Sequence, residues 1–199
     1  MKQILVMSSE NTKSKTIVGV DYSMNGPAFA VISDDYVNIK YWTNKKKYGE
    51  VSIETDDFSI EGILIDDDYE SNEERFDKLA SEIVSEIAWY WPSKVYLEDY
   101  SYASTGRAFS IGENVGILKN KLYSNGIKFE VVAPTQVKKF ATGKGNGNKE
   151  LMQEAFEKEF AVDIKSLLMQ NTNHWNPSSD IIDAYYIATY GKLIEEDTL

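Results

Sequence analysis

T-I-V-G-V-D, at residues 16–21, is the stretch that decides the fold, because it is an apolar, β-rich run that ends in an acid. A turn rich in Ser, Asn, Gly and Pro follows at 23–27, and residues 28–32 predict a returning strand. Residues 36–42 predict a third strand. Together these runs predict an antiparallel meander with Asp21 at its first bend.

The rest of the chain alternates helices and strands. Apolar spacing and turn residues predict further elements, namely helices at 72–91, 111–123, 148–160 and 180–194, a short helix opening at Pro134, and strands at 95–98 and 129–132. Residues 44–71 are the least regular and predict a variable loop or an edge hairpin. This order is typical of an α/β protein with a mixed sheet. We therefore predict a single domain over residues 1–199 with a variable insertion at about 44–71.

Three further acids stand where strand and helix geometry could bring them to Asp21. Glu98 ends the fourth predicted strand, and Asp180 and Asp183 open the last helix, which Ser179 can cap. Because helical residues three apart share a face, Asp180 and Asp183 point the same way. Clustered carboxylates repel unless a cation neutralises them, so the four acids predict a site for Mg²⁺ or Mn²⁺.

Each of these acids also has a plainer interpretation. Asp21 could simply form the turn, and Asp180 could favour the positive end of the helix dipole. Glu98 closes an apolar strand, where acids are rarely placed without a partner. Asp183 stands one turn inside the helix and has less reason to be there. The joint interpretation as one site is stronger than that of any single acid.

Composition excludes several kinds of site. The 199 residues include no cysteine and one histidine, which rules out disulfides, thiolate zinc sites and any site with two imidazoles. No run approaches the roughly 18 apolar residues that cross a membrane, and the N-terminus lacks the layout of a secretory signal. We therefore expect a soluble, cytoplasmic protein that makes no contact with a membrane.

Charge is distributed unevenly along the chain. The net charge of −11 argues at first against a nucleic-acid partner. However, residues 50–99 carry 16 acids and three bases, whereas residues 100–150 carry eight bases and three acids. The basic stretch lies between the candidate acids in sequence, which weakens the objection to nucleic-acid binding.

The order of elements and acids resembles the RuvC-type Holliday junction resolvases of the ribonuclease H-like superfamily, especially the smaller bacteriophage forms. Four segments carry the resemblance: G-V-D-Y-S at 19–23, L-E-D-Y-S at 97–101, P-T-Q-V-K-K-F-A-T-G-K-G-N-G-N-K at 134–149 and D-I-I-D-A-Y-Y-I-A at 180–188. It implies a mixed five-stranded sheet, three antiparallel strands and then two parallel ones, flanked by helices. It also implies that the family's acidic tetrad falls on Asp21, Glu98, Asp180 and Asp183.

The chemistry of such a site is the hydrolysis of a phosphodiester bond. Two divalent ions about 3.5 to 4 Å apart can activate water, neutralise the phosphate and stabilise the leaving group. Asp21 would bridge both ions, Glu98 would hold one, and Asp180 with Asp183 the other. The resemblance implies cleavage of Holliday junctions or related branched DNA to 5′-phosphate and 3′-hydroxyl ends. It further implies a homodimer with two active sites, and no small-molecule cofactor is expected.

A glycine-rich segment before the predicted helix at 148–160 supplies candidate phosphate ligands. Residues 142–149 form a flexible loop that leads into a helix, where backbone amides and Lys144 or Lys149 could grip phosphate. The resemblance places the last lysine, Lys149, beside the scissile phosphate, and Lys138 in the same basic segment joins the candidate substrate-binding residues. The alternative is an ordinary solvated linker.

Aromatic and basic residues follow Glu98. In the resembled family this loop carries an aromatic wedge for the junction centre, and Tyr100 and Tyr102 are the candidates, with Arg107 as a further DNA-binding residue. These tyrosines could equally pack on the neighbouring helix. The triplet Lys45–Lys47 could touch a DNA arm or simply be solvated.

Three other functions compete with this prediction. A related ribonuclease H-like nuclease would act on RNA:DNA hybrids or flaps with the same acids. An actin-like phosphotransferase fragment would suit G-V-D-Y-S and the hairpin, but it needs two such domains and leaves D-I-I-D without a purpose. A non-catalytic DNA-binding module would keep the scaffold without needing all four acids.

Overall fold

A computed structural model describes residues 15–34, 36–66, 68–99, 108–171 and 173–197. Within them the chain forms seven strands, β1 Ile17–Asp21, β2 Ala28–Ser33, β3 Tyr36–Thr43, β4 Ser52–Glu54, β5 Phe58–Leu64, β6 Lys94–Glu98 and β7 Phe129–Val132. It also forms six helices, α1 Asn72–Trp89, α2 Ala108–Ser124, α3 Pro134–Thr142, α4 Lys149–Phe160, α5 Ile164–Leu167 and α6 Ser178–Asp197. The order is that of an α/β protein, as the sequence predicts.

One mixed sheet holds all seven strands, in the order β4-β5-β3-β2-β1-β6-β7. The strands β1, β2 and β3 form the predicted antiparallel meander. The strands β6 and β7 then extend the sheet from β1 in parallel, which confirms the predicted change of direction. As a result β1 lies beside both an antiparallel and a parallel neighbour.

The prediction of five strands is wrong in number, because the insertion adds two. Strands β4 and β5 form an antiparallel hairpin, and β5 pairs in parallel with β3 at the sheet edge. Phe58 and Ile60 alternate with more exposed residues and are buried against the sheet. A Cβ added at Gly62 would lie 2.1 Å from the carbonyl oxygen of Tyr48, so the backbone of the insertion packs too closely for a side chain there.

The two faces of the sheet carry different helices. Helices α1 and α2 cover one face, where Val18, Val20, Val95 and Leu97 contribute to the buried core. Helices α3 to α6 cover the other face, where residues of α6 pack on Ile17 and on the inner residues of β2 and β3. Ser71 caps α1 by accepting a hydrogen bond from the Glu74 amide.

Helix α6 lies directly on β1 and β6. A Cβ added at Gly19 would lie 2.1 Å from the Ala188 amide nitrogen, and one added at Gly191 would lie 2.2 Å from the Tyr96 ring. Only glycine permits this approach at either crossing. Because α6 crosses the strands so closely, its first turns lie above the ends of β1 and β6.

Two expectations about the region before α6 are wrong. The helix begins at Ser178, two residues earlier than predicted, so Ser179 lies within its first turn and does not cap it. The preceding polar loop contains the short helix α5, whose Ile164 is fully buried. In the part of the chain that the structure describes, no helix combines the length and apolar character needed to cross a membrane.

Candidate active site

Strand register places Asp21 and Glu98 side by side. Val20 pairs with Leu97 on the parallel strands β1 and β6, and each acid is the next residue along its strand. Side chains alternate between sheet faces, so both acids project to the face of Gly19, which α6 covers. The last residues of two neighbouring strands therefore present carboxylates under the start of one helix.

Helix α6 brings Asp180 and Asp183 to the same end of the sheet. Asp180 is only 6% exposed, and a methyl group added at Gly26 in the β1–β2 turn would lie 3.2 Å from its Oδ2. Asp183 lies one turn further along the helix and is partly exposed. The two carboxylates therefore face the turn and strand ends from above.

The acids influence one another's ionisation. Burial raises the pKa of Asp21 well above its usual value, and the negative charges of Asp180, Asp183 and Glu98 raise it further. Burial is also the main reason that the pKa of Glu98 rises to about 7, with Asp183 adding to the shift. An acid is hard to ionise in such a place unless positive charge arrives.

The pKa values of the two helical acids are raised as well. Burial raises the pKa of Asp180 to about 7, although the Asn176 amide and the charge of Lys149 act against the shift. Burial raises the pKa of Asp183 to about 6, while Lys149 and Lys138 lower it. These lysines only partly compensate the concentration of negative charge.

The donor set fits a hard divalent cation. Four carboxylates supply oxygen ligands only, which is the chemistry that Mg²⁺ and Mn²⁺ prefer. Among the described residues, which include all four acids, no three side chains of the ligand types His, Cys, Asp or Glu already surround one point. Binding of an ion would therefore require the carboxylates to turn towards one common point.

Asn176 was not identified from the sequence, yet it holds Asp180 in place. Its Nδ2 donates to both carboxylate oxygens of Asp180, over 2.6 Å to Oδ1 and 2.5 Å to Oδ2. The one available signal is an amide four residues before Asp180, and that spacing does not determine the shape of the intervening loop. Asn176 therefore fixes the direction of a candidate ligand.

Gln170 in turn fixes the loop that carries Asn176. This buried residue donates from Nε2 to the carbonyl of His174 over 2.7 Å and accepts at Oε1 from the Ser178 amide over 3.1 Å. The two bonds span the loop on both sides of Asn176. Sequence reasoning missed Gln170 because nothing local marks a glutamine whose partners are backbone groups four and eight residues away.

Lys138 and Lys149 lie near the acids, and neither forms an ion pair with another described residue. Lys149, at the first position of α4, donates to Ser179 Oγ over 3.2 Å. Lys138 on α3 is close enough to influence Glu98 and Asp183. Lys144 is exposed in the loop between these helices. The ion pairs between described residues use other lysines, namely Lys15, Lys40, Lys78, Lys94 and Lys121.

The other predicted substrate-binding residues lie elsewhere in the chain. Tyr100, Tyr102 and Arg107 fall outside the described residues, so their roles stay predictions.

Comparison with solved structures identifies the fold. RuvC from Thermus thermophilus is similar with a TM-score of 0.55 and 16% identity, over 89% of this chain and 96% of that chain. The same protein in complex with a Holliday junction substrate gives a TM-score of 0.57 and 16% identity over 90% and 96%. The yeast mitochondrial Holliday junction resolvase gives 0.54 and 14% identity over 88% and 77%.

A viral structure extends the comparison. The fowlpox virus resolvase, in complex with Holliday junction DNA, gives a TM-score of 0.51 and 16% identity over 90% of this chain and 98% of that chain. No protein-family model matches the sequence, and no curated protein matches it either. On this structural likeness, the chain has the ribonuclease H-like α/β fold of RuvC and other Holliday junction resolvases.

Proposed function

We propose that the chain is a divalent-metal-dependent endonuclease that cleaves Holliday junctions or related branched DNA. The observation that carries the proposal is that Glu98 at a strand end, with Asp180 and Asp183 on one helix, adds to the effect of burial in raising the pKa of Asp21. The fold supports the proposal, since two of the similar structures are complexes with junction DNA. We further propose 5′-phosphate and 3′-hydroxyl ends as products.

Asp21, Glu98, Asp180 and Asp183 would hold two Mg²⁺ or Mn²⁺ ions, which when bound neutralise the phosphate and activate water for in-line attack. Asp21 would serve both ions, because the charges of all three other acids act on it. Asn176 would keep Asp180 turned towards the site through its two hydrogen bonds.

Lysines would position the substrate strand. The side chain of Lys149 is anchored on Ser179 next to Asp180, where its ammonium could contact a non-bridging oxygen of the scissile phosphate. Lys138 approaches the acids from α3, and Lys144 lies between Lys138 and Lys149 in sequence. This group gives an acidic protein a local basic surface at the place where the substrate must bind.

A homodimer would place two such sites on opposite strands of one junction. Support comes from α2, which exposes Phe109 and Tyr123 at 88% and 79% on the same helix face as Gly112 and Gly116. A Cβ added at either glycine would meet no atom within 4 Å, so this face is open at the two glycines. Light scattering should give twice the chain mass, and a monomer at micromolar concentration would contradict this part of the proposal.

The activity is tested with a panel of labelled DNA structures and Mg²⁺. We expect paired nicks in four-way junctions, slower cleavage of Y-forks and flaps, and little cleavage of linear duplex. Ligation of the nicked products without phosphatase or kinase treatment would establish the end chemistry. Preferential cleavage of RNA:DNA hybrids would favour the related nuclease instead, and tight junction binding without cleavage would favour a non-catalytic module.

A further inference from the structure

A cavity of about 390 Å³ adjoins the candidate active site at Asp180. It lies between the β1–β2 turn, the segment after β3 and the start of α6. Asp180 stands at its boundary with the acids, and Lys45 also lines it. Three amide side chains line the space as well, those of Asn25, Asn44 and Asn176. The lining therefore combines polar groups, one of them a cation and one a candidate metal ligand, with apolar side chains.

Much of this polar lining is available to a ligand. Asn25 accepts at Oδ1 from Arg75 over 3.1 Å, which orients its amide, and Asn176 is held by Asp180. None of the hydrogen bonds between described residues uses the side chain of Asn44 or the ammonium of Lys45. The cavity thus combines fixed amides with groups that have no other partner in the described part of the chain.

Backbone hydrogen bonds fix the position of Lys45. Its amide donates to Thr43 Oγ1 over 3.2 Å, and its carbonyl accepts from the Tyr48 and Gly49 amides. Its neighbours in the basic triplet differ, because Lys47 donates to the carbonyl of Met169 and Lys46 does not line the cavity. Of the three lysines, Lys45 is therefore the one directed to the candidate site.

These groups select a class of ligand. An ammonium pairs with a phosphate, and amides donate to and accept from sugar oxygens and base edges. The volume is at the small end of the range for ligand pockets, about 300 to 1,000 Å³, which suits a single nucleotide. Because Asp180 lines the cavity, a nucleotide bound there would lie next to the bond that the site would cleave.

We propose that the cavity binds the nucleotide adjacent to the scissile phosphate in the cleaved strand, with its outer phosphate on Lys45 and its sugar or base edge on Asn25 and Asn44. This inference rests on the proposed nuclease function. It gives the strand two lysine anchors near the acids, Lys149 at the start of α4 and Lys45 after β3. It also accounts for one lysine of the triplet whose role the sequence leaves open.

The test combines Lys45→Ala with junctions in which single phosphates are replaced by neutral methylphosphonates. For the wild type, neutralising one phosphate within about two positions of the cut should weaken binding about tenfold. Lys45→Ala should weaken binding of the unmodified junction by a similar factor. It should also reduce the slope of log affinity against log salt concentration by about one. In that variant the same methylphosphonate should cause no further loss of affinity, because the contact is already lost.

Lys46→Ala is the matched control, since it removes the same charge one residue away and outside the cavity. In steady-state cleavage, Lys45→Ala should raise KM with little change in kcat, and Asn44→Ala should do the same more weakly. Equal effects of Lys45→Ala and Lys46→Ala, or unchanged sensitivity of Lys45→Ala to every methylphosphonate, would overturn the inference while leaving the nuclease function intact. A wild type that neither binds nor cuts junctions would overturn both.

Discussion

The α1 side and the α6 side of the sheet differ at the ends of β1 and β6. On the α1 side, Val20 and Leu97 are buried in an apolar core. On the α6 side, the next residue of each strand is an acid, Asp21 or Glu98, whose pKa burial raises. The alternation of a strand therefore puts stabilising and destabilising groups one residue apart. Stability and chemistry should accordingly be separable by substitutions at adjacent positions.

The largest expected effect is on the charged face. Glu98→Gln keeps the shape of the side chain and removes the charge that would hold a cation, so junction cleavage should fall about 10³-fold. The melting temperature of the metal-free protein should not fall, because the substitution also removes repulsion with Asp183. Single-turnover cleavage and thermal melting check both statements, and cleavage at the wild-type rate would count against a ligand role.

The neighbouring position should give the opposite result. Leu97→Ala removes a side chain that is 1% exposed, which should destabilise the protein by about 3 kcal/mol. Cleavage by the protein that remains folded should stay within about threefold of the wild type. Urea unfolding combined with activity at low temperature measures the separation. Loss of activity out of proportion to the folded fraction would show that the two faces are not independent.

An intermediate effect is expected from the amide that orients Asp180. Asn176→Ala removes both hydrogen bonds to that carboxylate, so affinity for Mn²⁺ and the cleavage rate should fall about 10- to 100-fold. Asn173→Ala is the control, an exposed amide in the same loop whose side chain makes no contact with Asp180. If the two variants behaved alike, the orienting role of Asn176 would be wrong.

The smallest effect is a pH dependence of stability. The folded pKa values of about 7 for Glu98 and Asp180 and about 6 for Asp183 lie above those of unfolded carboxyls, about 4, so the folded state binds more protons between these limits. The metal-free protein should therefore lose stability as pH rises from 5.5 to 8, with a melting temperature lower by about 5 °C.

Acids with a lowered pKa, such as Asp163 and Glu195, are already ionised across that window and should not oppose the trend. Millimolar Mg²⁺ should reverse the loss at pH 8, because cation binding favours the ionised acids. Glu98→Gln should show a shallower dependence than the wild type. A wild type whose stability rises steadily from pH 5.5 to 8 without metal would disagree with this account.

Local sequence signals were enough to predict most of the fold. The apolar run that ends at Asp21 and the run that ends at Glu98 are strands by composition alone, and the parallel pairing of β1 with β6 follows from the intervening helix. The sequence does not decide between a loop and an edge hairpin for β4 and β5, because their burial depends on the edge of β3 and on the close packing at Gly62.

The candidate site was predictable only in part. The spacing of Asp180 and Asp183 indicates a shared helix face, and the close crossing of α6 at Gly19 then brings them to Asp21. The roles of Ser179 and Asn176 depend on where α6 begins and how the preceding loop folds, which no local pattern specifies. Tertiary contacts decide those positions, so only a structure could assign them.

The most direct test of the central claim is a count of bound Mn²⁺ by titration with electron paramagnetic resonance. The account predicts two ions per chain for the wild type, none or nearly none for Asp21→Asn, and one for Asp183→Asn. Binding in Asp21→Asn that matches the wild type, or no binding of Mn²⁺ by the wild type at millimolar concentration, would contradict it.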